Sequence, residues 1–163
     1  MTDSKIETYV VDTENIPKKA IELIKKLTNY QGVVVSLAKP AELTLNELKK
    51  SKVNTRDILF IDAKEKGSSD QIISISSTSA LTELSIAISQ LLQAFPNKKR
   101  YFLIEGVNIL TIHNKTEVVQ RFIQFIISKL RLWGVDGYFI LSNITNHEIS
   151  TLVIESSDKV VRK

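Results

Sequence analysis

The sequence predicts an α/β protein of three layers (α/β/α), with helices on both faces of a mostly parallel sheet of five or more strands. Three observations predict it. Short apolar, β-branched or aromatic runs recur at Ile6–Val11, Val33–Leu37, Ile58–Ile61, Tyr101–Ile104 and Gly137–Leu141. Unbroken runs of this length suit strands covered on both faces, as a parallel sheet requires. The segments between them carry apolar residues at helical spacing and are long enough to serve as crossovers, which are right-handed in such sheets. Finally, the 163 residues show no internal repeat and no linker composition, so residues 1–163 are expected to form one domain with a sizeable core.

Each element has its own justification. The strand Ile6–Val11 ends at Asp12-Thr13-Glu14, and a helix follows from about Pro17, with Asn15 as its expected cap. Ala20, Leu23, Ile24 and Leu27 give that helix its core face, and Asn29 to Gly32 is expected to stop it. Val33–Leu37 forms the second strand, ended by Pro40, and Leu43, Leu45 and Leu48 mark a small amphipathic helix closing in the basic stretch 49–52. Ile58–Ile61 runs into Asp62. Residues 64–79 are polar and serine-rich with Gly67, the longest expected loop, inside which the alternation Gln71–Ile75 fits a short edge strand. Leu84, Ile88, Leu91, Leu92 and Phe95 stripe the next helix, from about Ala80 to Pro96-Asn97.

The run Tyr101–Ile104 then leads to Glu105 and Gly106. After a turn over 106–112, a long helix is expected with Asn114 as cap and Glu117 three residues on, a capping-box spacing. Its apolar residues, from Val118 to Trp133, cover more than one stripe, which marks deep burial or an interface. The aromatic residues Phe122, Phe125 and Trp133 fall in that stripe and read as core. Gly134 ends the helix. Gly137–Leu141 is the fifth strand, and a short helix (147–154) and a short strand (159–161) close the chain.

Composition excludes several chemistries. With no cysteine there is no disulfide, thiolate metal site or cysteine nucleophile. The two histidines, His113 and His147, stand far apart and do not suggest a metal site, and no Gly-x-Ser-x-Gly elbow occurs. The formal net charge is +4 and the pI about 9.2. Short basic patches at Lys98-Lys99-Arg100 and at 159–163 keep nucleic acid open as a partner class, although both signs of charge are interspersed along the chain. The opening residues carry no apolar signal core, and no stretch is long and apolar enough for a bilayer; a soluble, cytoplasmic protein without membrane contact is expected.

In open α/β sheets ligands bind beyond the carboxyl ends of the strands. Asp12, Asp62 and Glu105 all stand at expected strand ends, a rim of oxygens suited in type to magnesium. A receiver domain shares such a rim, but it wants two adjacent acids after strand one and a lysine after strand five; Asp12 and Glu14 are not adjacent and Ser142-Asn143 supplies no lysine.

Four passages carry a resemblance: Gly32–Pro40, Ile58–Asp62, Ser79–Ser85 and Phe102–Leu110 with the helix after it. In order and spacing they resemble the RecA/KaiC-like branch of the P-loop ATPase superfamily, and within it small archaeal KaiC-like proteins that lack the phosphate loop, Walker A. The resemblance covers nearly the whole chain and implies a RecA-like fold, with Glu105 in the Walker B position. It also implies what is missing. A phosphate loop needs glycines so that backbone N–H groups wrap the phosphates, a lysine, and a hydroxyl for magnesium. Here the loop reads Asp12-Thr13-Glu14-Asn15-Ile16-Pro17-Lys18-Lys19, without glycine. Lys18 and Lys19 are the residues able to meet an anion at the helix start; surface lysines are the plainer reading. Ala38-Lys39 stands where active relatives carry the glutamate pair that activates water, and Gly106 replaces the small hydroxyl residue after the acid.

With positioning, charge stabilisation and base all altered, the expectation is a non-catalytic domain without a cofactor. It would act in regulation or signalling by binding another protein or itself. The alternatives are a nucleic-acid-binding module, or a residual binder of Mg and ATP using Asp12, Asp62 and Glu105.

Overall fold

The computed structural model describes residues 4–63, 70–95 and 99–162. Lys98, Lys163, Gly67 and Pro96-Asn97, named above in patches, loop and helix end, lie outside the described residues.

Seven strands form one sheet: β1 (Ile6–Val11), β2 (Gln31–Ser36), β3 (Ile58–Asp62), β4 (Ile72–Ser74), β5 (Arg100–Glu105), β6 (Asp136–Ser142) and β7 (Lys159–Arg162). Their spatial order is β4-β3-β2-β5-β6-β1-β7, and every pairing is parallel. The register sets Ser36 beside both Asp62 and Glu105. The helices are α1 (Ile16–Lys26), α2 (Ala41–Lys50), α3 (Leu81–Ala94), α4 (Val107–His113), α5 (Thr116–Trp133) and α6 (His147–Glu155).

Because side chains alternate across a strand, each run feeds two cores. Val33, Val35, Phe102, Ile104 and Phe139 face α3 to α6. Val34, Phe60, Leu103, Tyr138 and Ile140 face α1 and α2. This is the three-layer α/β/α, RecA-like arrangement, with the short strands β4 and β7 at its edges.

Several local expectations need correction. Gly32 does not stop α1; it lies inside β2, where a Cβ would come 2.1 Å from the Tyr101 ring. Asn15 does not cap α1 with its side chain. It is itself helical at φ −95°, ψ −2°, since a 3-10 turn over Thr13–Asn15 enters the helix first. Asn114 is not the cap of α5 either; Lys115 holds that position, and the Asn114 amide donates to the Thr78 and Leu110 carbonyls. The expected turn after Gly106 is a helix, α4. In α2 the buried stripe is Ala41, Thr44, Leu45 and Leu48, two residues out of phase with Leu43, which is 54% exposed. The long helix α5 buries one face (Val119, Phe122, Ile123, Ile126 and Leu130), while Phe125 and Leu132 are exposed. Trp133 is partly buried against the core, and Lys129 lies over its ring and that of Phe125. No helix among the described residues is long and apolar enough to cross a membrane.

Candidate functional site

Adjacent strands whose connections leave toward opposite faces open a crevice at their carboxyl ends. That happens twice here. The chain leaves β2 toward α2 on one face while neighbouring β5 leads to α4 on the other; the same holds for β1 (toward α1) and β6 (toward α6). Glu105 stands at the first position and Asp12 at the second.

Glu105 is 3% exposed. Its Oε1 accepts from the Ser36 hydroxyl at 2.8 Å and from the Ala38 N–H at 3.3 Å. Its Oε2 is buried without a hydrogen-bond partner among the described residues. Burial pushes the carboxyl above its ordinary range, against the pull of Ser36, Ala38 and the nearby charge of Lys39. The approach of the β2–α2 connection is so close that Gly106 is required. It sits at φ +87°, where a Cβ would also come 2.9 Å from the Ala38 nitrogen. Ser36 is the site residue that sequence reasoning missed, and Ala38, placed there only by resemblance, contributes its backbone N–H. Only the register of β2 beside β5 reveals these contacts.

At the second crevice Asp12 is exposed, and its Oδ1 accepts from the Asn143 amide at 2.9 Å. The Asn143 N–H in turn donates to the Val11 carbonyl at 3.1 Å. The 3-10 turn directs the Asn15 N–H to the Asp12 carbonyl at 2.8 Å. A cavity of about 240 Å³ remains over this connection, lined by Val11, Asp12, Asn15, Lys18, Lys19 and Glu22. Small-molecule sites occupy roughly 300–1,000 Å³, so this one is small, and two carboxylates line it.

Asp62 faces neither crevice. Its Oδ2 accepts from the Ala41 N–H at 2.8 Å and its Oδ1 from the Ser74 hydroxyl at 3.1 Å. It caps the start of α2 and ties β4 to β3. The three acids thus do not converge. One strand lies between β3 and β5 and another between β5 and β1, so successive acids stand about 10 Å apart at a strand spacing near 4.8 Å. Ligands of one magnesium ion must each lie about 2 Å from it. No group of three potential ligands gathers around a common point among the described residues. The residues present therefore do not fit a three-carboxylate metal site.

The lysines also divide. Lys18 is exposed. Lys19 is 6% exposed, not a surface lysine: its ammonium donates to Glu22 at 3.0 Å and lies 5.4 Å from the centre of the Tyr9 ring.

No protein-family model matches the sequence, and none of the curated proteins is similar to it. Solved structures do share its architecture. A KaiC-like protein from the hyperthermophilic archaeon Pyrococcus horikoshii superposes with a TM-score of 0.72, over 98% of this chain and 72% of its own, at 14% identity. The fold is KaiC-like. An uncharacterized protein from the same organism, solved in complex with an unknown peptide, reaches a TM-score of 0.67 over 99% of this chain and 78% of its own, at 11% identity. A third Pyrococcus horikoshii protein gives 0.66 over 99% and 82%, at 10% identity. Identities this low carry likeness of fold alone, and a KaiC-like fold does not fix an activity.

Proposed function

We propose that this chain is a non-catalytic domain of KaiC-like fold that acts in regulation or signalling by binding another protein. One observation carries the reading. Where a phosphate loop would wrap a triphosphate, the chain has a glycine-free 3-10 turn whose Asn15 N–H is already bonded to Asp12 and whose acid is clasped by Asn143. Backbone donors spent within the turn are not available to phosphate oxygens. Glu105, in the position of the metal-holding acid, turns its bonded oxygen inward to Ser36 and Ala38.

A protein of like fold has been solved with an unknown peptide, so a protein-binding role is compatible with this architecture. The test is ATP turnover and ATP-dependent melting on the purified protein, with Mg present. The expected result is no turnover above background and no rise in Tm. Hydrolysis that disappears in Glu105→Gln, or a nucleotide-induced rise of several degrees, would overturn the reading.

A further inference from the structure

We propose that the groove between α1 and α2 docks an acidic, amphipathic helical segment of a partner protein. This deepens the protein-binding reading above and rests on it. The groove encloses about 890 Å³, and Lys18, Lys25, Lys39, Lys49 and Lys50 line it. Glu14 and Glu47 also line it, which leaves a net lining charge of 5 − 2 = +3. Among the described residues none of the five lysines forms an ion pair.

The pattern has the period of a helix on both walls. Lys18, Ile21 and Lys25 stand at i, i+3 and i+7 of α1, and Leu43, Asn46, Glu47 and Lys50 at i, i+3, i+4 and i+7 of α2. The α1 wall thus sets Ile21 between two lysines, and the α2 wall runs from Leu43 to Lys50, each over about 10 Å at 1.5 Å per residue. Ile21 packs partly on the core, whereas Leu43 is 54% exposed, an apolar residue left in the groove although α2 buries Leu45 and Leu48 beside it. An amphipathic helix laid between two helices is read by anchors at this spacing. Carboxylates along its flanks would meet the lysines, and such charges chiefly set specificity and the rate of encounter.

Two other occupants fit less well. The groove lining contains no arginine and no aromatic side chain, so single-stranded nucleic acid would lack the stacking platforms that carry much of its affinity. The apolar pair Ile21 and Leu43 has no counterpart in a sugar–phosphate backbone. A second copy of this chain, itself at net charge +4, brings no overall complement to a basic groove.

The test uses the full chain and a labelled synthetic peptide of about fourteen residues, about 21 Å long when helical. The peptide has leucine at i, i+3, i+7 and i+11 and mainly glutamate elsewhere. The comparators are a scrambled peptide of identical composition and a labelled oligouridine. Expected are salt-sensitive binding of the striped peptide, preference over the scrambled one, and weaker binding of the oligouridine. Lys25→Glu with Lys50→Glu should weaken the striped peptide by tenfold or more, about 1.4 kcal/mol. Leu43→Ser, on an exposed position that leaves the fold intact by melting, should weaken it without changing the salt dependence. Binding that ignores the leucine stripe, or is indifferent to both sets of substitutions, overturns the proposal; tighter binding of the oligouridine assigns the groove to nucleic acid instead. ATP turnover with peptide binding intact would sink the non-catalytic reading alone, and absence of both would sink the groove alone.

Discussion

Substituting Glu105 by glutamine tests whether burial governs this acid. The carboxyl is 3% exposed, and burial raises its proton affinity in the folded protein. The folded protein therefore holds a proton more tightly than the unfolded chain, whose glutamate titrates near 4.3. Below that value both states are protonated and nothing is lost. As pH rises toward and through the folded value, the unfolded state releases its proton more readily and stability falls. Each pKa unit of elevation amounts to about 1.4 kcal/mol once pH exceeds both values.

Glutamine keeps the Oε1 acceptor for Ser36 and Ala38 and removes the titration. Its Nε2 would replace an oxygen that has no partner among the described residues, a pH-independent cost of about 1–3 kcal/mol. The quantity to measure is thus the Tm of Glu105→Gln minus that of the wild type, followed by circular dichroism from pH 4.5 to 8. That difference should climb with pH, by roughly 2–4 °C per kcal/mol for a domain of this size. Other groups cancel between the two proteins. A flat difference would refute the argument from burial. A falling one would mean that the charged carboxylate is stabilised in the fold, as by a bound cation, and would reopen the metal reading.

Further outcomes follow from individual contacts. Gly106→Ala places a Cβ at φ +87° and 2.9 Å from the Ala38 nitrogen; a loss of about 1–3 kcal/mol is expected by denaturant titration. Asp62→Ala removes the acceptor for the Ala41 N–H and the Ser74 hydroxyl, and about 1–3 kcal/mol should be lost, with faster amide exchange at Ala41 and through β4. Arg131 bonds the Ser4 and Ser156 carbonyls and the Asp158 carboxylate, and its hydrogen bond holds Asp158 below the ordinary carboxylate range. That contribution is present above the unfolded pKa of Asp158 and fades as pH falls through the folded one. Arg131→Ala should hasten proteolysis and exchange around β7 near neutral pH, and its difference from wild type should narrow in acid to what the Ser4 and Ser156 carbonyl bonds contribute.

The fold was legible because its signals are redundant. Five apolar runs marked five of the seven strands, and the two edge strands were visible as a short alternation and a terminal run. Gly134 ended α5 as expected, in the left-handed region at φ +66°. What sequence order concealed was lateral position. Asp12, Asp62 and Glu105 share the end of a strand in the chain, but the strand order spreads them along the rim. Each then found a local partner that no spacing announces: an amide across from β6, a helix start after β2, and a serine on β2. Lys19 misled for a similar reason. In α1 it lies one position before Ala20, where the helix already turns inward, so its ammonium lies over the Tyr9 ring and meets Glu22.

The same geometry favours recognition on a helical face over recognition at the rim. A parallel sheet offers ligands backbone donors and open crevices where neighbouring connections diverge. Here the β1/β6 crevice is drawn together by Asp12 and Asn143, and the β2/β5 crevice by Glu105 with Ser36 and Ala38. The atoms already bonded at these two crevices have little left to gain from a ligand, because a new bond must first break an old one, and the Glu105 Oε2, which has no partner among the described residues, is itself buried. The α1–α2 groove is different. Its lysines lack ion-pair partners among the described residues, and Leu43 keeps about half its surface in water. Binding there adds contacts without dismantling any. That difference in cost makes the helical face the better candidate for the working surface of the domain.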